Sequence, residues 1–553
     1  MAVRSGISDE NECVLAVDLG TSGAKVALVS TAGAIEGSAS VPISLQLLPK
    51  GGAEQDPAEW WRAIVGAANQ VFDSAGIARE QVVAVACTAQ WSGTVAVDAA
   101  GEPLRPAVIW MDSRGNSSIR RQLRGRVSVL GFGASKLAKL VRLTGGAPSL
   151  SGKDPVCHIL WIRDAEPDVY RATHKFLEPV DWLNQQLTGR FCASYDSIVL
   201  HWVTDNRTID AIGYDDELLR ICGLDRQKLP DLEPPARIIG TLQRRAAEDL
   251  GLSEGLPVSA GTGDIHSAAV GSGAVADFSP HLYIGTSSWI SCHVPYKKTA
   301  PMTNVASIPA ALPSRYLVAD EHETAGACLT FLGQLLYPDA GSAGSTPESS
   351  AGSTPERSPG STPESSADRA ADLLHILDRV AESVPAGANG ALFTPWLNGE
   401  RTPVDDHTIR GGFHNLSLGT TRQDMVRAVY EGVAYNSRWL LEAVEKFCKK
   451  RFDSLAFIGG GANSDIWCQI HADVTGRQIR QVDQPVLAGV RGASFLALLA
   501  LGRLKVPDIP SMVPVKKAFE PDTSSRSEHD LRYSQFVELY GKTKQIHKRL
   551  NRF

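Results

Sequence analysis

No two cysteines of this 553-residue chain form a C-x-x-C pair; the nine, Cys13, Cys87, Cys157, Cys192, Cys222, Cys292, Cys328, Cys448 and Cys468, are scattered and odd in number. That pattern fits inert thiols in a reducing compartment rather than a disulfide framework. Long apolar runs are missing too. Stretches such as Phe495 to Leu501 are far too short to cross a bilayer, and the polar start MAVRSGISDENE lacks the apolar centre of a signal peptide. A cytoplasmic protein with no membrane partner is the expectation. Positive charge is not in excess: Lys and Arg number 55 against 61 Asp and Glu, a net charge of −6. This argues against nucleic acid as a partner, so any phosphate must be held by local geometry. No lysine stands in the GxxxxGK[ST] spacing of a Walker loop, so a phosphate site here has to be built from hairpins and loops.

What is present fills two cores. A length of 553 residues exceeds what one core supports, and 43% hydrophobic with 21% charged residues is ordinary for a globular chain. The stretch Val14 to Val29, VLAVDLGTSGAKVALV, reads as strand, tight turn, strand. At its centre, Gly20 and Gly23 let backbone N–H groups converge on an anion, Thr21 and Ser22 add hydroxyls, and Asp18 offers a carboxylate to a hydrated cation. That set suits nucleotide phosphates with Mg²⁺. Asp56 and Pro57 start a helix that runs past Phe72, and a buried strand follows at Gln81 to Thr88. Strand, hairpin and helix in this order indicate an α/β domain. Gln90, Trp91 and Ser92 follow the buried strand, and Trp110, Asp112 and Arg114 follow a later apolar run. Polar and aromatic residues at strand ends are where α/β proteins place ligands, so these side chains are candidates to bind hydroxyl groups.

Val156 to Gly189 reads as two helices broken near Glu166-Pro167. Within it, Leu160-Trp161, Pro167, Tyr170 and Asp181 to Gly189 resemble the FGGY family of carbohydrate kinases. Later motifs extend the resemblance from about Val14 to Gly502: Thr394 to Pro403, and Gly459-Gly460-Gly461-Ala462-Asn463-Ser464 with Trp467, Gln469, Ala472 and Asp473. The resemblance implies two α/β lobes of the actin-like ATPase type around a cleft, with the first lobe at 12–274, the second at 275–511 and a tail with a helix at 512–553. It implies ATP and Mg²⁺ as cofactors, with Asp18 on the metal. Thr21, Ser22, Thr286, Gly326, Gly460, Gly461 and Asn463 would contact the nucleotide, and Gln90, Trp91, Ser92, Trp110, Asp112 and Asp264 the sugar or polyol. Asp264, handed by a short strand at Pro257 to Ala260 to a glycine-rich tip, is the candidate base, although the same pattern also suits a helix cap.

Two features fall outside the pattern. GSTPE occurs three times, at Gly344, Gly352 and Gly360, and 341–367 reads as a disordered insertion because it holds no large apolar residue. Trp91 and Ser92 stand where xylulokinases carry methionine and histidine, and Ile265 stands where a polar residue commonly follows the base, so a ketose such as xylulose, another polyol or an aldonate all remain open. An actin-like ATPase and a non-catalytic sugar sensor are the alternative classes. A homodimer is compatible with the chain.

Overall fold

The computed structural model of the protein describes residues 12–337 and 366–551. Its first sheet grows from the opening hairpin, β1 (Cys13–Leu19) against β2 (Gly23–Ser30), with Asp18 directly opposite Lys25. All seven residues of β1 are buried, because a central strand is covered on both faces; hence its apolar sequence, broken only by Asp18 near its end. β3 (Ile35–Pro42) takes the edge, and there every second residue is exposed. α1 (Pro57–Ala75) begins where the sequence indicates: the Asp56 carboxylate accepts the Ala58 N–H at 2.9 Å, and Trp60, Ile64, Ala67 and Val71 bury one face. β4 (Val82–Ala89) lies parallel to β1.

The segment 156–189 departs from the two-helix expectation. It forms α2 (Pro155–Ala165), α3 (Pro167–Ala172), a strand and then α4 (Pro179–Thr188), closed by left-handed Gly189. The strand, β6 (Lys175–Leu177), pairs antiparallel with β5 (Val95–Val97). Three residues are too few to carry a period, and the open edge of β5 claims them. β7 (Ile238–Thr241), β8 (Pro257–Ser259) and β9 (Thr262–Gly263) complete the sheet in the order β7-β8-β4-β1-β2-β3, with β9 also beside β4. α5 (Asp264–Gly271) leaves β9 directly.

The second sheet repeats the plan. β10 (Pro280–Ile284) and β11 (Ser288–Val294) form its hairpin, and β12 (Thr299–Ala300), β13 (Val305–Pro309) and β14 (Tyr316–Ala319) extend it beyond β11. On the other side β15 (Ser454–Ile458) and β16 (Gln478–Val482) run parallel to β10, and β17 (Val515–Phe519) closes the edge antiparallel. α6 (Gly326–Leu336), α7 (Ser366–Glu382), α8 (Arg422–Cys448) and α9 (Asp465–Thr475) share one core with this sheet. α7 was not legible from its sequence. Residues 341–365 of the proposed insertion lie outside the described residues, whereas 366 and 367 fall in the first turn of α7.

α10 (Ala488–Ala500) builds a third core that includes Val14, Ala16 and Ala84 of the first sheet and Ile458 and Val482 of the second. α11 (Arg526–Leu550) buries Phe536, whose ring lies 5.1 Å from that of Trp396. The tail helix therefore packs on the second lobe. Among the described residues no helix is long and apolar enough to cross a membrane.

Candidate active site

The site starts at one end of the first sheet. Asp18, Thr88 and Thr262 lie in register across β1, β4 and β9. At about 4.8 Å between strands, the backbones of β1 and β9 stand roughly 10 Å apart, and Asp264 follows immediately after β9. Burial lifts its carboxyl to about 7, the charge of Asp18 adds to this, and Lys25 opposes it. The Asp264 carboxylate also accepts the N–H of the next residue, Ile265, at 2.9 Å, while the N-cap position of the helix is Gly263. Lys25 Nζ is 3.2 Å from Asp18 Oδ2, and the charge of Asp18 is the main reason that its pKa is raised. Lys25 was not singled out in the sequence, although counting across the hairpin turn puts it opposite Asp18.

The second lobe brings its own hairpin to this place. Ala325 N–H donates to Thr286 O at 2.9 Å and Gly326 N–H to Gly285 O at 2.9 Å, which staples the start of α6 to the hairpin tip. Gly459 has φ +84°, and a Cβ there would meet Ile284 O at 2.5 Å, so only glycine lets the triplet lie against this hairpin. Gly460 beside it is exposed, with nothing within 4 Å of where its Cβ would be. Gly461 is buried against Ile284, Asn463 is exposed, and Ser464 caps α9 through the Trp467 N–H at 3.1 Å. Ser22 is exposed at the tip of the first hairpin.

Several residues expected to face the nucleotide or the sugar are already engaged, Thr21 from the first set and Gln90, Trp91, Ser92 and Asp112 from the second. The Thr21 hydroxyl donates to Gln90 Oε1 at 3.0 Å and accepts from Trp110 Nε1 at 2.9 Å, so it joins the wall next to Gln90 rather than standing free in the turn. Gln90 Nε2 donates to Gln55 Oε1 at 2.7 Å, and Gln55 Oε1 also accepts from Trp60 Nε1 at 3.2 Å. Trp91 donates to Ser197 O at 2.9 Å and meets the His266 ring edge-on at 5.2 Å. Ser92 Oγ donates to Lys153 O at 2.9 Å. Asp112 is 1% exposed and accepts from the Ala53 N–H and from the Arg114 N–H and guanidinium, so its carboxylate is committed inside the lobe. It positions the wall instead of offering a free acceptor.

Charged groups from both lobes meet here: Lys153, which the sequence did not single out, and Arg401 with Glu321 and Glu323. Lys153, on the first lobe, makes no ion pair among the described residues. Burial lowers its pKa, while Glu323 and Glu321 of the second lobe counter this and Arg401 reinforces it. Arg401 pairs with both Glu321 and Glu323. Glu400 accepts from Asn436 Nδ2 at 2.6 Å and from the Arg401 and Glu323 N–H groups at 2.9 and 3.2 Å. The Gly-Glu-Arg stretch thus pins the 321–324 loop.

Residues 13–271 match the N-terminal domain of the FGGY family of carbohydrate kinases, and residues 283–501 match its C-terminal domain. The chain belongs to the FGGY family of carbohydrate kinases. It is a sugar kinase with the two-lobed actin-like ATPase fold and takes its phosphoryl group from ATP. A xylulose kinase of Staphylococcus epidermidis is 29% identical over 542 residues, spanning 97% of this chain and 98% of that one. Among solved structures, a ligand-bound xylulose kinase from Lactobacillus acidophilus superposes with a TM-score of 0.81 at 20% identity, over 98% of this chain and all of that one. A gluconate kinase from the same organism gives 0.80 at 21% identity over the same shares. The actin-like ATPase and the sugar sensor are set aside by this membership.

Proposed function

We propose that this FGGY kinase phosphorylates a hydroxyl of a ketose of the xylulose type, with Asp264 as the general base. The observation that carries the reading is the placement of Asp264 at the head of α5, facing Asp18 and Lys25, with its carboxyl pushed up to about 7. A carboxylate of that basicity takes a proton from an alcohol as its oxygen attacks phosphorus, a contribution of about 10²–10⁴ in rate. Trp91 and Trp110 wall the sugar from the first lobe; the Thr21-Gln90-Gln55 chain fixes Trp110, and Ser197 O with the His266 ring fixes Trp91. Lys153 and Glu321 face the same space from opposite lobes.

The nucleotide phosphates would lie between Ser22 and Thr286, with Gly326 behind and the base on Gly460, Gly461 and Asn463. Two carboxylates whose charges oppose each other suit a divalent cation: Asp18 would hold Mg²⁺ through water, and Mg²⁺ would neutralise phosphate charge. Lys25 steadies Asp18. We take the lobes to divide near Ala274, with the first at 12–274, the second at 275–511 and the tail at 512–553. Xylulose is favoured by the near full-length relative named above, and Trp91 supplies apolar bulk on the first-lobe wall, whereas Ile265 is buried in the third core.

The deciding experiment is ADP release by the purified protein over ketoses, polyols and aldonates. Xylulose or a near ketose should give the highest kcat/KM. Preference for gluconate or a polyol replaces the substrate assignment and leaves the base; hydrolysis indifferent to sugar overturns both.

A further inference from the structure

The two phosphate hairpins are position-for-position counterparts: Asp18-Leu19-Gly20-Thr21-Ser22 in the first lobe, Tyr283-Ile284-Gly285-Thr286-Ser287 in the second. Both lie at the same place in equivalent sheets, at the end of the strand that pairs with its own return strand and with a parallel neighbour. The counterpart of Asp18 is therefore Tyr283. Where the first hairpin sets Asp18 opposite Lys25, the second sets Tyr283 opposite Trp289, and the two rings stack at 3.8 Å between centroids and 7° between planes. That stack fixes the phenol. Its hydroxyl lies 2.5 Å from where a Cβ on Gly285 would be, and the far side of its ring lies 3.0 Å from where one on Gly459 would be. The ring thus sits between the hairpin tip and the glycine triplet, and its hydroxyl makes no hydrogen bond among the described residues. Burial pushes it up to about 12, with Asp264 and Asp18 adding and Lys25 opposing, so it stays a proton donor at working pH and lies within electrostatic reach of all three first-lobe groups.

We propose that Tyr283 is a phosphoryl-binding residue, donating its hydroxyl hydrogen to an oxygen of the terminal phosphoryl group from the second lobe, opposite Lys25. The donor is neutral and the acceptor charged, so it adds a directed contact without adding charge to a site that already holds Lys25. This rests on the kinase reading above, because it takes the space between the two hairpins for the phosphates.

Tyr283→Phe keeps the stack on Trp289 and removes only the oxygen. In the full-length protein, affinity for ADP with Mg²⁺ should stay within about twofold, affinity for a non-hydrolysable ATP analogue should fall about tenfold, and kcat/KM should fall about 10- to 100-fold. Equal weakening of both nucleotides would mean a packing role and overturn the proposal, as would no change in either. A parent protein that discriminates the analogue from ADP but phosphorylates no sugar refutes the kinase reading, while the Tyr283→Phe comparison still decides this one.

Discussion

Asp264 carries the sharpest residue-scale consequences. Its carboxyl is raised by burial first and by Asp18 second, to about 7, so kcat/KM should show an acid limb with an apparent pKa near 7. Asp264→Asn should lower kcat by about 10³-fold while ATP-analogue affinity stays within a few-fold. The same group weakens the fold. Between about pH 4 and 7 the native state keeps a proton that the unfolded chain has lost, so stability falls as pH rises through that window and the full penalty is present above it. Asp264→Asn should therefore raise Tm at pH 8 and not at pH 4, by the equivalent of about 1–2 kcal/mol once the partial exposure of the side chain is allowed for. Thermal melts at the two pH values check the sign. Asp18 and Asp264 were legible as site candidates because each stands next to small residues at a strand end. Lys153, Glu321 and Tyr283 were not, since a charge in an irregular stretch, or a ring near the end of an apolar strand, gains meaning only from what the other lobe sets against it.

At the scale of elements, the cleft depends on how closely α5 and α10 cross. A Cβ on Gly492 would meet Ser267 O at 1.9 Å, and one on Gly271 would meet Ala488 O at 1.8 Å, so two backbones touch where side chains normally intervene. Ser267 Oγ donates to Gly489 O at 2.7 Å across the same crossing. Since α5 begins with Asp264, any widening of the contact displaces the proposed base. Gly492→Ala should cost about 1–3 kcal/mol by overpacking and lower kcat by up to about 100-fold, with a smaller change in sugar KM. Denaturant melts and steady-state kinetics on one preparation separate the two effects. The opening hairpin and α1 were readable because the turn glycines, the Asp56 cap and the apolar runs are local. The strand Lys175–Leu177 and α7 were not: the first exists because the edge of β5 needs a partner, and the second holds its place partly because Asp378 accepts from Tyr430 and Ser464 at 2.6 and 2.7 Å, contacts made far along the chain.

For the whole molecule, the question is which parts the two-lobed machine can lose. The third core ties α10 to both sheets, and α11 seals Trp396 and Tyr435 through Phe536, so neither can be removed without exposing large apolar side chains. The GSTPE stretch is different in kind. α6 ends at Leu336 and α7 begins at Ser366, and the two pack together where a Cβ on Gly333 would meet Leu373 at 2.6 Å. Adjacent helices need only about 2–8 connecting residues, so removing 344–364 leaves a link of sufficient length. Its serines, threonines, prolines and glutamates offer no apolar surface to any core. Closing a fourfold shorter loop costs less chain entropy by about 1 kcal/mol. The shortened protein should therefore keep kcat/KM within about twofold and melt at the parent temperature or about 1–2 °C higher. A drop in kcat greater than about tenfold with Tm unchanged would place the stretch in the working cleft, whereas a fall in Tm would mean that α7 needs it to dock.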